Sequence, residues 1–405
     1  MIPIKKILIA FLLSIIFVAG LGITINKFII SDNDSSTKKK SLVTKAKPLM
    51  DSLSFKELDK LFSAMEDGRK DTSFNIINIA VTGLDTRMGS GCNHADANHL
   101  LRIFLDSCRI EIISIPRGTF VKAGFADTSG LNYLANLRAG KGRERYLKEI
   151  AKICNIPKVD YYVEFGFSQA IGLLDLLGFR GNSAQTLRLL RSRQAFGLGD
   201  YQRSFNQGEF IRQMILSKYR TITNLPGDLA IRAGLLLVDT DLSYGIINNI
   251  IDKLNKSGFP RSEADISHYL KPKMKYEFHN FDFLSRASRD SLYKLIMRTA
   301  KNLEIDDGGK NNNGRINRRV LRNLNVIIRR AENDSLRFPQ IVISRLQRIY
   351  EQRSWYQIGD TNQRYVLMKR ICSLLISAYD RTNQSDKARS VRNLLLVEDY
   401  IKRNY

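Results

Sequence analysis

Three apolar runs between residues 75 and 121 constrain the fold of this chain more than any other stretch. The first, residues 76–81, is rich in β-branched side chains and leads into a glycine, which predicts a buried strand that ends in a turn. The next two, residues 99–105 and 109–115, are separated by only three residues, a spacing that favours a hairpin. Pro116 cannot donate a hydrogen bond to a neighbouring strand and should end the third run. We therefore predict a sheet built around these strands.

Strand and helix patterns alternate further along the chain. Residues 159–165 form another run typical of a strand, whereas residues 131–153 and 168–177 place apolar side chains at helical intervals. Such alternation is typical of an α/β domain, close to the α+β class, and predicts a central mixed sheet flanked by helices. Two finer predictions are a strand at residues 275–278 and a helix at residues 242–254 that is capped by Thr240 or Asp241.

The last third of the chain has helical patterns only. The segment 306–314 is rich in Asp, Gly and Asn and predicts a flexible break. Four helices are predicted beyond it, at residues 316–331, 339–353, 362–379 and 385–403. One pair has apolar spacing similar to a tetratricopeptide repeat, but any antiparallel helices would show the same spacing. We predict an all-helical, basic extension that contacts a protein partner.

An apolar stretch near the start predicts a membrane anchor. Residues 7–25 are uncharged and long enough to cross a hydrocarbon core of ~30 Å. They exceed the ~7 to 15 residues of a cleaved signal-peptide core, which favours an uncleaved transmembrane helix. Lysines lie on both sides, so local charge leaves the orientation open. The predicted parts are the N-terminus with its anchor (1–28), a flexible tether (29–50), the α/β domain (51–283) and the extension (284–405).

The net charge and the cysteine spacing limit which classes of partner and metal the chain is expected to bind. The chain has 64 Lys and Arg against 40 Asp and Glu, a formal net charge of +24, which predicts anionic partners such as lipid headgroups or phosphate polymers. No recognised nucleic-acid-binding motif accompanies this charge, so we do not expect nucleic acid as a partner. The four cysteines contain no C-x-x-C pair and lack zinc-ligand spacing with the four histidines, which argues against a zinc site.

Charged side chains lie at the ends of the predicted strands. Asp85 follows the first strand, Asp96 precedes the second, and Arg117 follows the proline that ends the third. Carboxylate oxygens are ligands for Mg²⁺, and the planar guanidinium group binds phosphate oxygens in pairs. These residues predict a site for a magnesium-bridged phosphate, although Asp and Arg in loops often serve turns alone. His94 and His99 flank Asp96, and a metal role is open for them beside ordinary burial or solvation.

Six short motifs occur in order: Asn-Ile-Ala-Val-Thr-Gly-Leu-Asp-Thr-Arg (78–87), His-Ala-Asp (94–96), Ser-Ile-Pro-Arg (114–117), Asp-Tyr-Tyr-Val (160–163), Arg-Ser-Arg (191–193) and Asp-Tyr-Gln-Arg (200–203) with Gln207. This set resembles the LytR-CpsA-Psr family of bacterial cell-envelope enzymes over roughly residues 74 to 255. The resemblance implies an extracytoplasmic phosphotransferase, held in the cytoplasmic membrane by one span. Such an enzyme moves a glycopolymer from a polyprenyl pyrophosphate carrier to peptidoglycan or a related acceptor.

The resemblance also implies roles for seven residues. The two carboxylates would hold Mg²⁺ and the other five side chains would bind the pyrophosphate. The metal set is Asp85 and Asp96, the pyrophosphate set is Arg117, Arg191, Arg193, Arg203 and Gln207, and the catalytic set is Asp85, Asp96 and Arg117.

The chain departs from the family pattern at several positions. His94, Gly118 and Gly130 stand where the family usually has an arginine, an aspartate and a lysine, and the paired Arg-Gln-Gln has become Asn-Gln-Gly at residues 206–208. We expect these losses to affect turnover more than headgroup binding. They support an alternative, a degenerate member that binds the carrier or an anionic envelope polymer without transferring it.

Overall fold

A computed structural model describes residues 75–86, 93–193, 199–218, 227–302 and 310–404. The predicted anchor and tether lie outside these ranges. Within them, no helix combines the length and the apolar character needed to cross a membrane. The described residues cover most of the α/β domain and of the helical extension.

One mixed sheet lies at the centre of the described α/β domain. Its strands are β1 (Ile76–Leu84), β2 (Ala95–Phe104), β3 (Arg109–Ser114), β4 (Tyr161–Phe165), β5 (Asp239–Thr240) and β6 (Ile266–Leu270). Across the sheet their order is β5, β4, β1, β2, β3, β6. The strands β1, β2 and β3 pair antiparallel, whereas β4 and β6 run parallel to β1 and β3. The predicted hairpin and the predicted mixed sheet are both confirmed.

The two edge strands were not found from the sequence pattern. β6 contains Ser267 and His268, and β5 has only two residues, so neither shows the apolar run that marks a strand. The predicted strand at residues 275–278 is wrong, since that segment has no regular secondary structure. Phe278 instead stacks on Phe205 with the ring centroids 4.7 Å apart. Aromatic packing thus covers its apolar ring without a sheet.

Helices cover both faces of the sheet. One face packs on α1 (Leu134–Cys154), which is interrupted at Gly142. The other face carries α2 (Phe167–Leu174), α3 (Ser183–Arg191), α4 (Gly199–Lys218), α5 (Gly227–Leu237) and α6 (Tyr244–Lys256). Neighbouring strand residues alternate between the two cores: Leu100 and Ile113 face α1, whereas Leu101 and Ile112 face the other helices.

The cap of α6 differs from the prediction. Ser243 caps this helix, since its hydroxyl accepts a hydrogen bond from the backbone N–H of Ile246 at 3.3 Å. Thr240 and Asp241 were predicted as caps, but both side chains bond to Tyr162 of β4. The Thr240 hydroxyl donates to the Tyr162 carbonyl at 2.5 Å, and the Asp241 carboxylate accepts from the Tyr162 N–H at 2.8 Å. These two side chains therefore join β5 to β4 and do not cap α6.

The extension is helical, as predicted. Its helices are α7 (Arg286–Asn302), α8 (Lys310–Asp334), α9 (Pro339–Glu351), α10 (Thr361–Arg381) and α11 (Ser385–Asn404). The predicted flexible break is wrong in its second half, because residues 310–314 are the first turns of α8. Adding residues to an existing helix costs far less than starting one, so a helix packed through Leu324 and Ile328 extends into a polar segment.

The extension packs directly on α2 of the α/β domain. The buried Tyr356, in the short helix after α9, lies over Gly172, where an added Cβ would come within 2.9 Å of its ring. Arg364 pairs with the buried Asp175, and Arg353 donates to the Leu236 carbonyl at 2.7 Å. One apolar core runs from the sheet through these contacts into the extension. The extension is therefore a continuation of the domain core.

Candidate functional site

A β-bulge determines where Asp96 points. Gly83 of β1 pairs with Ala97, but the next residue, Leu84, pairs with Ala95, so Asp96 is an extra residue in β2. A bulge of this kind breaks the alternation of a strand and redirects one side chain. The Asp96 carboxylate thereby reaches a pocket on the same face of the sheet as Ala97.

Three arginines from different elements converge on Asp96. Arg117, just after β3, pairs with one carboxylate oxygen, and Arg191, at the end of α3, lies 3.2 Å from the other. Arg203 of α4 donates to the Asp96 backbone carbonyl at 3.4 Å. The structure thus brings together four of the seven predicted residues, Asp96 and these three arginines.

Asp200 binds Arg193, the fourth predicted arginine. Its carboxylate forms ion pairs with Arg193 at 2.9 Å and with Arg203 at 3.0 Å. Burial lowers the pKa of Arg203 to about 10, so the side chain stays protonated at neutral pH. Within the described chain, its buried Nε has no hydrogen-bond partner. The sequence motif at residues 200–203 contained Asp200 but gave no reason to assign it to the site.

Asp85 has a different partner. Its carboxylate accepts a hydrogen bond from the His94 backbone N–H at 3.0 Å and lies 3.2 Å from His94 Nδ1. His94 thus holds the Asp85 carboxylate between the end of β1 and the start of β2. In the ranges that the structure describes, no group of three His, Cys, Asp or Glu is arranged to hold a metal ion. The role of Asp85 and Asp96 toward magnesium stays a prediction.

An apolar pocket adjoins the arginine cluster. Its empty volume, open mouth included, is about 920 Å³. Asp96, Arg191 and Gln207 contribute polar groups, and Gln207 is held by a 2.9 Å hydrogen bond to the Leu190 carbonyl. The apolar lining comes from β1, β2 and the helices α2, α3 and α4, and includes Val81, Leu84, Phe167, Leu173, Leu174, Leu177, Leu187, Leu190, Phe210 and Ile211. The pocket therefore has apolar walls and a charged group at one side.

A series of hydrogen-bonded polar side chains begins at the pocket and continues into the interior. His99 lines the pocket, and its Nδ1 lies 2.8 Å from the Ser114 hydroxyl, which is 2.9 Å from His268 Nε2. His268 Nδ1 is 3.4 Å from Glu209. Burial lowers the pKa of His99 to about 3, and the neighbouring His268 adds to this shift, so His99 is neutral. A Cβ at Gly208 would collide with His268 and Ser114, which accounts for the glycine there.

The fold and site define a class: an α/β domain with a mixed sheet, a cluster of arginines and an apolar pocket beside them. The model of the LytR_cpsA_psr family matches residues 28–181. This match confirms the resemblance seen in the sequence over a segment that contains Asp85, Asp96 and Arg117. The other four predicted residues lie beyond the matched segment. No curated protein matches the chain.

Solved structures that are similar to this chain include the following three. B. subtilis TagV is 15% identical with a TM-score of 0.40, over 56% of this chain and 98% of that one. The Lin1025 protein from Listeria innocua is 16% identical with a TM-score of 0.36, over 57% and 100%. TagT bound to LI-WTA is 15% identical with a TM-score of 0.36, over 57% and 95%.

Proposed function

We propose that the protein binds a polyprenyl pyrophosphate-linked glycopolymer and transfers the glycopolymer to a hydroxyl of peptidoglycan or a related envelope acceptor. The observation that carries this proposal is the pocket, where apolar walls adjoin a cluster of arginines. An amphiphile with an apolar chain and an anionic headgroup suits both halves at once. A free phosphate polymer would use only the arginines.

The charges of the cluster suit a pyrophosphate. Four guanidinium groups face two carboxylates, Asp96 and Asp200, so the cluster keeps an excess of positive charge. The guanidinium groups that are not neutralised by carboxylates can donate hydrogen bonds to the oxygens of a bound anion. Charge-assisted bonds of this kind are among the strongest in proteins. Asp96 and Asp200 hold the arginines in place before the anion arrives, which lowers the entropy that binding must overcome.

Transfer of a phosphoryl group depends on positioning and on neutralising charge more than on covalent chemistry by the protein. Arg117 and Arg191 would stabilise charge on the phosphate oxygens. We also propose Mg²⁺ as the cofactor, held by Asp85 and Asp96 together with phosphate oxygens, since one or two carboxylates plus phosphates are a common Mg²⁺ ligand set. When bound, the ion would polarise the phosphate and neutralise developing charge.

A membrane location completes the proposal. The predicted helix at residues 7–25 would anchor the chain in the bacterial cytoplasmic membrane, with residues 30–405 on the outer side. A fusion of alkaline phosphatase after Lys70 should then be active. A stable but inactive fusion would place the domain on the cytoplasmic side, where the acceptor is absent.

Arginine variants test carrier binding. Arg117→Ala leaves the bound anion partly unneutralised and should weaken binding of a short-chain polyprenyl pyrophosphate by about 1.5 to 3 kcal/mol in calorimetric titration. Arg117→Lys should recover only part of this, because a point charge lacks the planar fork. Arg102→Ala is the matched control: Arg102 is also ion-paired, with Glu111, but lies outside the cluster and the pocket lining.

Carboxylate variants separate transfer from binding. Asp85→Asn and Asp96→Asn should abolish transfer while the carrier still binds. A simple anion-binding surface predicts the opposite for binding, because removing a negative charge near phosphate increases affinity. Tighter carrier binding by both variants in the presence of Mg²⁺ would contradict the metal-bridged mechanism. Carrier binding without any turnover by the unmodified protein would favour the degenerate, binding-only alternative.

A further inference from the structure

The turn between α8 and α9 exposes several large apolar side chains. Leu336 is 84% exposed, Phe338 is 52% exposed and Ile341 is 39% exposed. Single exposed apolar residues are ordinary on protein surfaces, but three within six residues form a patch. We call residues 336–341 the apolar corner.

The backbone of the corner is firmly held. Arg381 of α10 donates to the carbonyls of Ser335 and Leu336, the latter at 2.8 Å. The Phe338 N–H donates to the Asp334 carbonyl at 2.9 Å, which closes the turn. Ordering a backbone costs conformational entropy. Here these hydrogen bonds offset that cost, although the apolar side chains stay in solvent. A fixed turn that presents apolar groups outward suits insertion into another apolar phase.

Arginines continue from the corner along the exposed side of α8. Arg319, Arg322, Arg329 and Arg330 are exposed at intervals of three, seven and one residues, and Arg337 lies in the turn itself. We call these five residues the basic stripe. Two nearby acidic residues are already engaged: Glu332 pairs with Arg370, and Asp334 pairs with Arg345. The positive charge of the stripe is therefore available to an anionic partner.

We propose that the apolar corner and the basic stripe together dock on an anionic lipid surface. The apolar side chains would enter the interface between headgroups and acyl chains, while the arginines contact the headgroups above it. Each arginine near such a surface increases partitioning by about fivefold. A soluble anionic polymer would satisfy the arginines but leave the corner in water, so the corner favours a membrane. This docking is independent of the function of the pocket.

The test uses the full chain in vesicles, with an environment-sensitive fluorophore on a single cysteine. Cys92→Ser removes the one cysteine outside the described residues, and the other three, at positions 108, 154 and 372, are buried. Leu336→Cys and Phe338→Cys carry the label at the corner. Val366→Cys is the matched control, because Val366 is an apolar residue of α10 that is 54% exposed and lies 15 residues from Arg381.

Labels at the corner should shift their emission to shorter wavelength in vesicles that contain phosphatidylglycerol, and should be quenched there by a lipid-bound quencher. Neither change should occur in phosphatidylcholine alone or at position 366. Replacing Arg322, Arg329 and Arg330 with Gln should raise by tenfold or more the concentration of phosphatidylglycerol vesicles that produces half of the emission shift. Equal responses at positions 336 and 366, or equal responses in both lipids, would overturn the proposal. Binding of polyglutamate through the stripe, with no emission change on vesicles, would assign it to a soluble polymer and also overturn lipid docking.

Discussion

The contact of Gly172 with Tyr356 allows a sharp test of how the extension is joined to the α/β domain. In Gly172→Ala, the new Cβ would lie 2.9 to 3.2 Å from three ring atoms of Tyr356. The ring has little freedom to move, because its hydroxyl donates to the half-buried Glu398 and the adjacent Trp355 is fully buried. Overpacking of this kind costs about 1 to 3 kcal/mol, whereas alanine gains up to about 1 kcal/mol in helix propensity. We expect a net loss of about 1 to 2 kcal/mol in the free energy of unfolding.

The chain contains a natural reporter for this experiment. Trp355 is its single tryptophan and lies beside Tyr356, so urea unfolding followed by tryptophan fluorescence reports directly on the docked extension. Gly245→Ala is the matched control, because Gly245 is also helical and an added Cβ there meets nothing within 4 Å. The control should be unchanged or more stable by up to about 1 kcal/mol. A Gly172→Ala protein as stable as the control variant would refute the close packing of α2 on the extension.

Three further predictions concern ionisable side chains of the α/β domain. Glu164→Gln should lower the free energy of unfolding by about 3 kcal/mol in urea denaturation, because the buried carboxylate pairs with Arg138 and Arg143. Asp200→Ala should weaken carrier binding about tenfold in calorimetric titration, because it releases the two arginines that Asp200 orients; binding equal to that of the unmodified protein would contradict this role. His99 has a pKa of about 3 when folded, against about 6.5 when unfolded, so it favours folding fully above pH 6.5 and loses that contribution as the pH falls toward 3. At about pH 5 the loss should be about 2 kcal/mol, and urea denaturation at two pH values should show that His99→Gln lacks this part of the pH dependence.

Features that depend on local patterns could be predicted. Residues 76–81, 99–105 and 109–115 became β1 to β3, and the four helical patterns of the extension became helices, because the period of apolar residues reports which face of an element is buried. The arginines around Asp96 were also found in advance, since their motifs occur in a recognisable order. Burial pattern and motif order are properties of short segments, and the sequence carries them directly.

Choices among distant partners were decided only in three dimensions. Asp85 and Asp96 looked equivalent in the sequence, but a bulge turned Asp96 toward the arginines, whereas the Asp85 carboxylate accepts a hydrogen bond from the His94 backbone N–H. Asp200 became part of the site because α4 carries it toward Arg193, and β6 formed because β3 offered it a free edge. In each case the sequence offers several residues of suitable chemistry as partners. The packing of whole elements selected one partner, and that packing sums many weak contacts between segments far apart in the chain.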